Sequence, residues 1–481
     1  MFARIKEAAV HTLVYGLGSV AQTLLGVLLV PLYTRAFTPA EFGVLTLVTL
    51  VGTLAGAVFL FGVPSALARS YYDYPEGDLR RRTITTSLAI VIAGAVVQVV
   101  LGIVCAAPLS RLVCGSPDYA PHVAVSVAAS ALSSIVGVCL VVLRFERRSV
   151  FVVTINVLSL IVTTAFILFF LFVRRDGIMA PLAGALAGQG TVCVVLLWAV
   201  RESFAGGLLH DELRVQLRYG LAAMLFGVTY YALDSADRIL LARYQSAEVV
   251  GVYSLGYKIG MLIHVAFVLP FGQIWSPMRM QYREGGDAVG LFKVMHTYYW
   301  LVGLFATVAI SLFAGELVML AGTRAYLDAA RVVPIVMLAH LAYGAVGIVD
   351  SGVVFTRKVS YHVYLCAAAL VLNVALNVWL IPVYGYMAAA WVTLASYLFL
   401  LALMFAVSRR LYPQQLEARL AVLGISAAVV LIAGSQVRFL DETPAVLVKA
   451  AMIGALGLFW YVAVLSPPER GRLTALVTRF V

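Results

Sequence analysis

The chain has 481 residues, 63% hydrophobic and 12% charged, with a mean hydropathy of +0.99 and a formal net charge of +11. A soluble domain holds roughly 45–50% apolar and about 25% charged residues, so this composition excludes a water-soluble globular protein. The positive excess follows the joints between apolar runs and calls for no nucleic acid.

Runs of about 20 apolar residues, enough to cross a roughly 30 Å hydrocarbon core, recur from end to end. The predicted spans cover 11–34, 42–68, 84–108, 120–143, 150–173, 178–200, 219–242, 247–272, 295–320, 329–355, 361–381, 386–408, 418–437 and 445–466. The first is too long for a cleaved secretory signal and is expected to stay as a span. Counted with residues at the span ends, alternate joints from the N-terminus hold 23 of the 34 Lys and Arg, and the intervening joints hold 9. Arg238 and Lys258 lie within spans. Basic joints face the cytoplasm, so both termini are expected inside a cell (inner) membrane.

The five cysteines are scattered and form neither a disulfide framework nor a metal-ligand spacing. The joints leave no room for an extramembrane catalytic domain, and a G-x-x-x-x-G-K-[ST] phosphate loop is absent. No cofactor is called for.

Sliding the chain by 208 residues places "RAFTPAEFGVLTLVTLVGTL" (35–54) on "RYQSAEVVGVYSLGYKIGML" (243–262). Arg35 meets Arg243, Gly43 meets Gly251 and Gly52 meets Gly260. Six spans separate the copies, which predicts a parallel repeat with its axis along the membrane normal. Asp237, Arg238 and Lys258 fall on Leu29, Val30 and Leu50, so these charges belong to one half only.

Three stretches, "YGLGSVAQTLLGVLLVPLYTRAFTPAEFGVLTL" (15–47), "SADRILLARYQSAEVVGVYSLGYKIG" (235–260) and "LNVALNVWLIPVYGYMAAAWVTLASY" (372–397), resemble the polysaccharide transporter branch of the multidrug/oligosaccharidyl-lipid/polysaccharide exporter superfamily. The resemblance implies an all-α polytopic protein with about 14 transmembrane helices. Two six-helix lobes would surround a central cavity, with two helices added at the C-terminus. The expected boundaries are 1–200 for the first lobe, 201–218 for a cytoplasmic linker, 219–410 for the second lobe and 411–481 for the helix pair. It also implies alternating access and a polyprenyl-diphosphate-linked glycan as substrate.

At 100° per residue, Gly227, Tyr230, Tyr231, Asp234, Asp237 and Arg238 share one face of span seven. Tyr253, Tyr257, Gly260 and His264 line span eight beside Lys258, and His340, Tyr343, Gly347 and Asp350 line span ten. Tyr15, Ser19, Gln22 and Gly26 share a face of span one, and Asn373 and Asn377 stand one turn apart on span eleven. Ionisable groups at membrane depth need a partner, water or the bundle interior. Asp234 and Arg238, spaced i to i+4, either neutralise each other or face substrate or a coupling ion, proton or sodium.

The candidate cavity residues are Lys258, Arg238, Asp234, Asp237, Tyr230, Tyr257, Arg69, Arg279, His340 and Asp350, with Arg283 at the inner mouth. Of these, Arg69, Arg279 and Arg283 are equally explained as positive-inside anchors. Pro64 and Pro270, near the inner ends of spans two and eight, predict paired kinks. Gly52, Gly56, Gly184 and Gly188 predict close helix packing.

The leading expectation is a flippase for a lipid-linked oligosaccharide in cell-surface polysaccharide synthesis, not an enzyme. Its partners would be membrane lipids and a polymerase or ligase of the same pathway. The alternatives are an ion-coupled drug or toxin antiporter of the same superfamily and a membrane-embedded glycan polymerase or glycosyltransferase.

Overall fold

Thr38 opens span two. Its hydroxyl accepts from the Glu41 N–H while the Glu41 carboxylate accepts from the Thr38 N–H, and Pro39 fills a first-turn position that needs no donor. The computed structural model describes residues 29–74, 77–204, 206–282, 288–415, 417, 419–436 and 442–471. Ten helical runs among them are long and apolar enough to cross a membrane. One of these, Ser360–Leu411, contains the eleventh and twelfth predicted spans and bends at Gly385. His210–Tyr244 carries span seven and Arg419–Gln436 span thirteen. Every predicted span from the second to the fourteenth therefore has a helical counterpart. Most of span one lies outside the described residues.

Three spans differ from expectation. Span seven starts earlier, because the helix begins at His210, inside the stretch expected to be a linker. Glu212 and Gln216 on this added part are buried: Gln216 donates to the Glu212 carboxylate (3.1 Å) and accepts from the Ser87 hydroxyl (2.8 Å). Partners from span three thus extend the helix. Span three stops at Val104 and a short helix follows at Ala106–Cys114. Pro108 lacks an N–H and its ring would strike the carbonyl four residues back, so the first helix cannot run on undisturbed. Span nine likewise stops at Leu312, followed by Ala314–Ala321.

The two interruptions are 208 residues apart, the offset of the sequence repeat. Gly177 and Gly385, separated by the same offset, both occupy the left-handed region at φ +58° and +62°, where a side chain would be strained. After spans four and ten the chain turns through left-handed Arg147 and Arg357 (φ +58° and +57°), and the Arg148 and Lys358 N–H groups reach back to Leu143 O and Val353 O at 3.0 Å. The regular α-helical pattern is interrupted near both prolines expected to kink it. In span two the helix breaks and restarts at Val63 with Pro64 in its first turn, and in span eight a wide turn over His264–Val268 precedes Pro270. Gly52, Gly184 and Gly188 pack so closely that an added Cβ would lie within 2.5 Å of a neighbour, whereas Gly56 makes ordinary contact.

Two compact units arise from this packing: residues 1–254 with 362–392, and residues 255–361 with 393–481. Within the first, span four packs on spans two, three and six around an aliphatic core that includes Leu67, Val91, Val138 and Leu196. Here the N-terminal ends of spans two and eight meet at backbone distance. A Cβ on Gly43 would lie 1.8 Å from Ala247 O, and one on Gly251 1.9 Å from Pro39 O. The second unit has an aromatic core, with Tyr299, Trp275 and Phe292 beside Leu341, and span thirteen packs on span nine. Large apolar residues such as Val104, Trp379 and Ile425 are exposed, as suits helices that present a face to lipid.

Candidate functional site

Span seven has an uninterrupted backbone from His210 to Tyr244, so its polar residues are set by helical geometry alone. Arg238 folds back one turn. Its Nη1 donates to the Asp234 carbonyl at 3.1 Å and lies 3.9 Å from the Asp234 carboxylate, with side-chain exposures of 11% and 15%. Asp237 is buried. Its Oδ2 accepts from the Tyr253 hydroxyl and its Oδ1 from the Arg238 N–H at 2.8 Å. Charge, countercharge and phenol form one compact cluster on these two helices. Tyr230 stands half-buried on the same helix. The buried pair Asn373 and Asn377, also in the first unit, is joined by an amide hydrogen bond of 2.9 Å.

In the second unit the span-eight and span-ten stripes interlock. Tyr257 and His340 are buried, with ring centroids 5.3 Å apart, edge to face. His264 (5.5 Å) and Tyr397 (5.9 Å) complete the surroundings of His340, and Tyr343 packs on Tyr397 at 5.2 Å. Toward the other end of span ten, Arg279 Nη1 contacts the Asp350 carboxylate at 2.5 Å and the Gly347 carbonyl at 3.2 Å. The Trp275 indole N–H shares that carbonyl at 3.2 Å. Two residues expected separately at a cavity are thus partners in a largely buried ion pair.

Lys258 is half-buried near the end of helix Ala247–Gly260 and is engaged within the fold. Arg69 is exposed at the end of helix Val63–Ser70, its guanidinium 4.9 Å over the Tyr219 ring, as an interfacial anchor would be. Arg283 and the span-one face of Tyr15, Ser19, Gln22 and Gly26 lie outside the described residues. Among the described residues no group of three or more His, Cys, Asp and Glu is placed to hold a metal ion.

Sequence reasoning missed two ionic clusters in the second unit. Lys449 pairs with Glu316, and Arg419 bridges Glu417 and Glu469, with the Tyr298 hydroxyl donating to Glu469 at 3.0 Å. Arg419 and the Ser466 N–H and hydroxyl hold the Glu469 carboxyl down to about 2. The sequence signal was only a charge at each span end.

Residues 9–282 match the family described as polysaccharide biosynthesis protein. The chain belongs to that family. It is similar in structure to the lipid II flippase MurJ in an inward closed conformation, with a TM-score of 0.76 at 11% identity over 93% of this chain and 99% of that one. It is also similar to an inward-facing multidrug resistance MATE family transporter of the MOP superfamily, at 0.69 and 15% over 84% and 96%. A MOP superfamily transporter from Pyrococcus furiosus follows at 0.61 and 14% over 87% and 96%. No curated protein sequence matches significantly. This family member therefore shares the fold of those flippases and transporters, and the ten helical runs among the described residues that are long and apolar enough to cross a bilayer make it a multi-pass membrane protein.

Proposed function

We propose that this member of the polysaccharide biosynthesis family flips a polyprenyl-diphosphate-linked oligosaccharide from the cytoplasmic to the outer face of the inner membrane by alternating access. A diphosphate and its sugars cannot cross hydrocarbon unaided, so the path must be polar and hydrated while the prenyl tail stays in lipid. The observation that carries the reading is the state of the candidate carboxylates. Asp234 lies beside Arg238, Asp350 beside Arg279, and Asp237 is hydrogen-bonded by Tyr253. A site for cationic drugs needs carboxylate charge to spare, and of these three two have a guanidinium partner while the third is buried against a tyrosine hydroxyl. Lys258 and the tyrosines then suit an anionic, sugar-bearing headgroup, and the likeness to a lipid II flippase over nearly the whole chain supports the same reading.

The test is reconstitution in liposomes with a fluorescent polyprenyl-diphosphate glycan in one set and a cationic dye in another. Translocation of the glycan lipid without dye transport is expected; dye transport without glycan translocation would sink the proposal. Orientation is tested in a variant without the five native cysteines, in which single cysteines at positions 116 and 440 should react with an impermeant outside reagent and one at 207 should not.

A further inference from the structure

At the basic-joint end of the first unit, the inner ends of spans two, three, four and six converge on a cavity of about 860 Å³. It lies apart from the span-seven cluster in sequence and in residues. Arg80, Arg81, Arg147 and Arg148 line it, against two carboxylates, Glu146 and Glu202. Several of these groups are already committed. Arg80 donates twice to Tyr74 O (2.9 and 3.2 Å) and stacks 4.7 Å over Tyr71. Arg148 stacks 5.0 Å over Phe151, and Glu146 accepts from the Ser203 hydroxyl at 2.5 Å. Arg81 and Arg147 are exposed and form no ion pair among the described residues.

Two consequences follow from this arrangement. The cavity carries more guanidinium than carboxylate, so its concave wall concentrates positive potential. The backbone places the base of both side chains: Arg81 sits in the first turns of helix Asp78–Val104, and Arg147 in the left-handed turn that closes span four. A guanidinium presents planar, forked donors that match phosphate oxygens, and Arg81 and Arg147 both line this one cavity with no carboxylate partner among the described residues. Beside them Tyr71, Tyr72 and Phe145 form an aromatic rim with centroids 4.8–5.8 Å apart, and Tyr72 is 68% exposed. The volume falls within the roughly 300–1,000 Å³ of ligand sites, ample for a headgroup larger than bare phosphate.

We infer that this cavity is a second anion site that binds a phosphate headgroup through Arg81 and Arg147. The headgroup could come from an anionic lipid or from a soluble phosphate compound, and the experiment separates these sources.

The purified full chain in phosphatidylcholine nanodiscs would be titrated separately with dioctanoyl phosphatidic acid and with inorganic pyrophosphate, following binding by thermophoresis. Arg81→Gln with Arg147→Gln should weaken binding about a hundredfold, at about tenfold for each charged hydrogen-bonding group lost. Arg409→Gln with Arg410→Gln removes the same charge from another basic joint and should leave binding within about twofold. Both pairs replace exposed residues, and unchanged melting temperatures would show that folding is intact. Saturation by the lipid alone identifies a lipid site, and saturation by pyrophosphate identifies a soluble one; either supports the site. Equal losses in the two double variants would reduce the effect to general surface charge and overturn the inference. So would absence of saturable binding by both probes.

Discussion

Gly43 and Gly251 occupy equivalent positions of the sequence repeat and meet each other: a Cβ on the first would strike Ala247 O and one on the second Pro39 O, and Pro39 and Ala247 are themselves equivalent. The crossing is self-complementary, so each glycine admits the backbone of the other helix. Gly43→Ala and Gly251→Ala should each destabilise the protein by about 1–3 kcal/mol through overpacking. Melting of the detergent-solubilised variants measures this, and wild-type stability in both would contradict the close approach.

Asp237 depends on Tyr253 for a hydrogen bond away from water. Tyr253→Phe leaves a buried carboxylate oxygen without that donor and should cost about 1–3 kcal/mol, with Asp237→Asn less severe in the Phe background than alone. A double-mutant cycle by chemical denaturation reads the coupling. Additive effects would mean that the two side chains act independently.

For Arg279 and Asp350, removal of one partner strands the other charge. Either Arg279→Met or Asp350→Leu alone should cost about 3–5 kcal/mol, while the double variant should fold nearly as well as wild type. If the double variant folds but no longer transports, the pair serves the cycle as well as the structure. A double variant no more stable than the singles would show that other groups hold these side chains.

Lys258 tests the proposed substrate. Lys258→Arg should retain glycan export because it keeps the charge, and Lys258→Met should abolish it at matched membrane abundance. Normal export by Lys258→Met removes this residue from the mechanism.

Glu469 gives the protein a pH signature outside the spans. Its folded-state pKa, about 2, lies below the ordinary 4.5, so its contribution is complete above about pH 4.5 and lost as pH falls through about 2. The melting difference between wild type and Glu469→Gln should be constant at neutral pH and shrink below about pH 4.5. A difference that persists unchanged near pH 2 would place its origin elsewhere.

Much of the fold was legible because hydrocarbon thickness and helical rise impose a length on every span. The face of span seven was legible as well, since Asp234 and Arg238 are one turn apart and a helix can bring them together only one way. Periodicity does not identify the helix a face meets. Arg279 and Asp350 are 71 positions apart, and nothing in either stretch names the other. Glu212 was hidden for the opposite reason: in sequence it sits among the charges of a joint, and only its partners, Gln216 and Tyr74, make it an interior residue.

The left-handed glycines at 177 and 385 and the helix interruptions after Val104 and Leu312 bear on how such a chain originates. A unit with an even number of crossings begins and ends on one side of the bilayer, so a duplicate gene segment joined to its end needs no extra crossing to keep its orientation. Two descendants of one six-crossing ancestor would inherit the same turns and breaks, because those are demanded by backbone geometry. Charges such as Asp237, Arg238 and Lys258, which occur in a single copy, are then later specialisation of one half on a framework already complete without them.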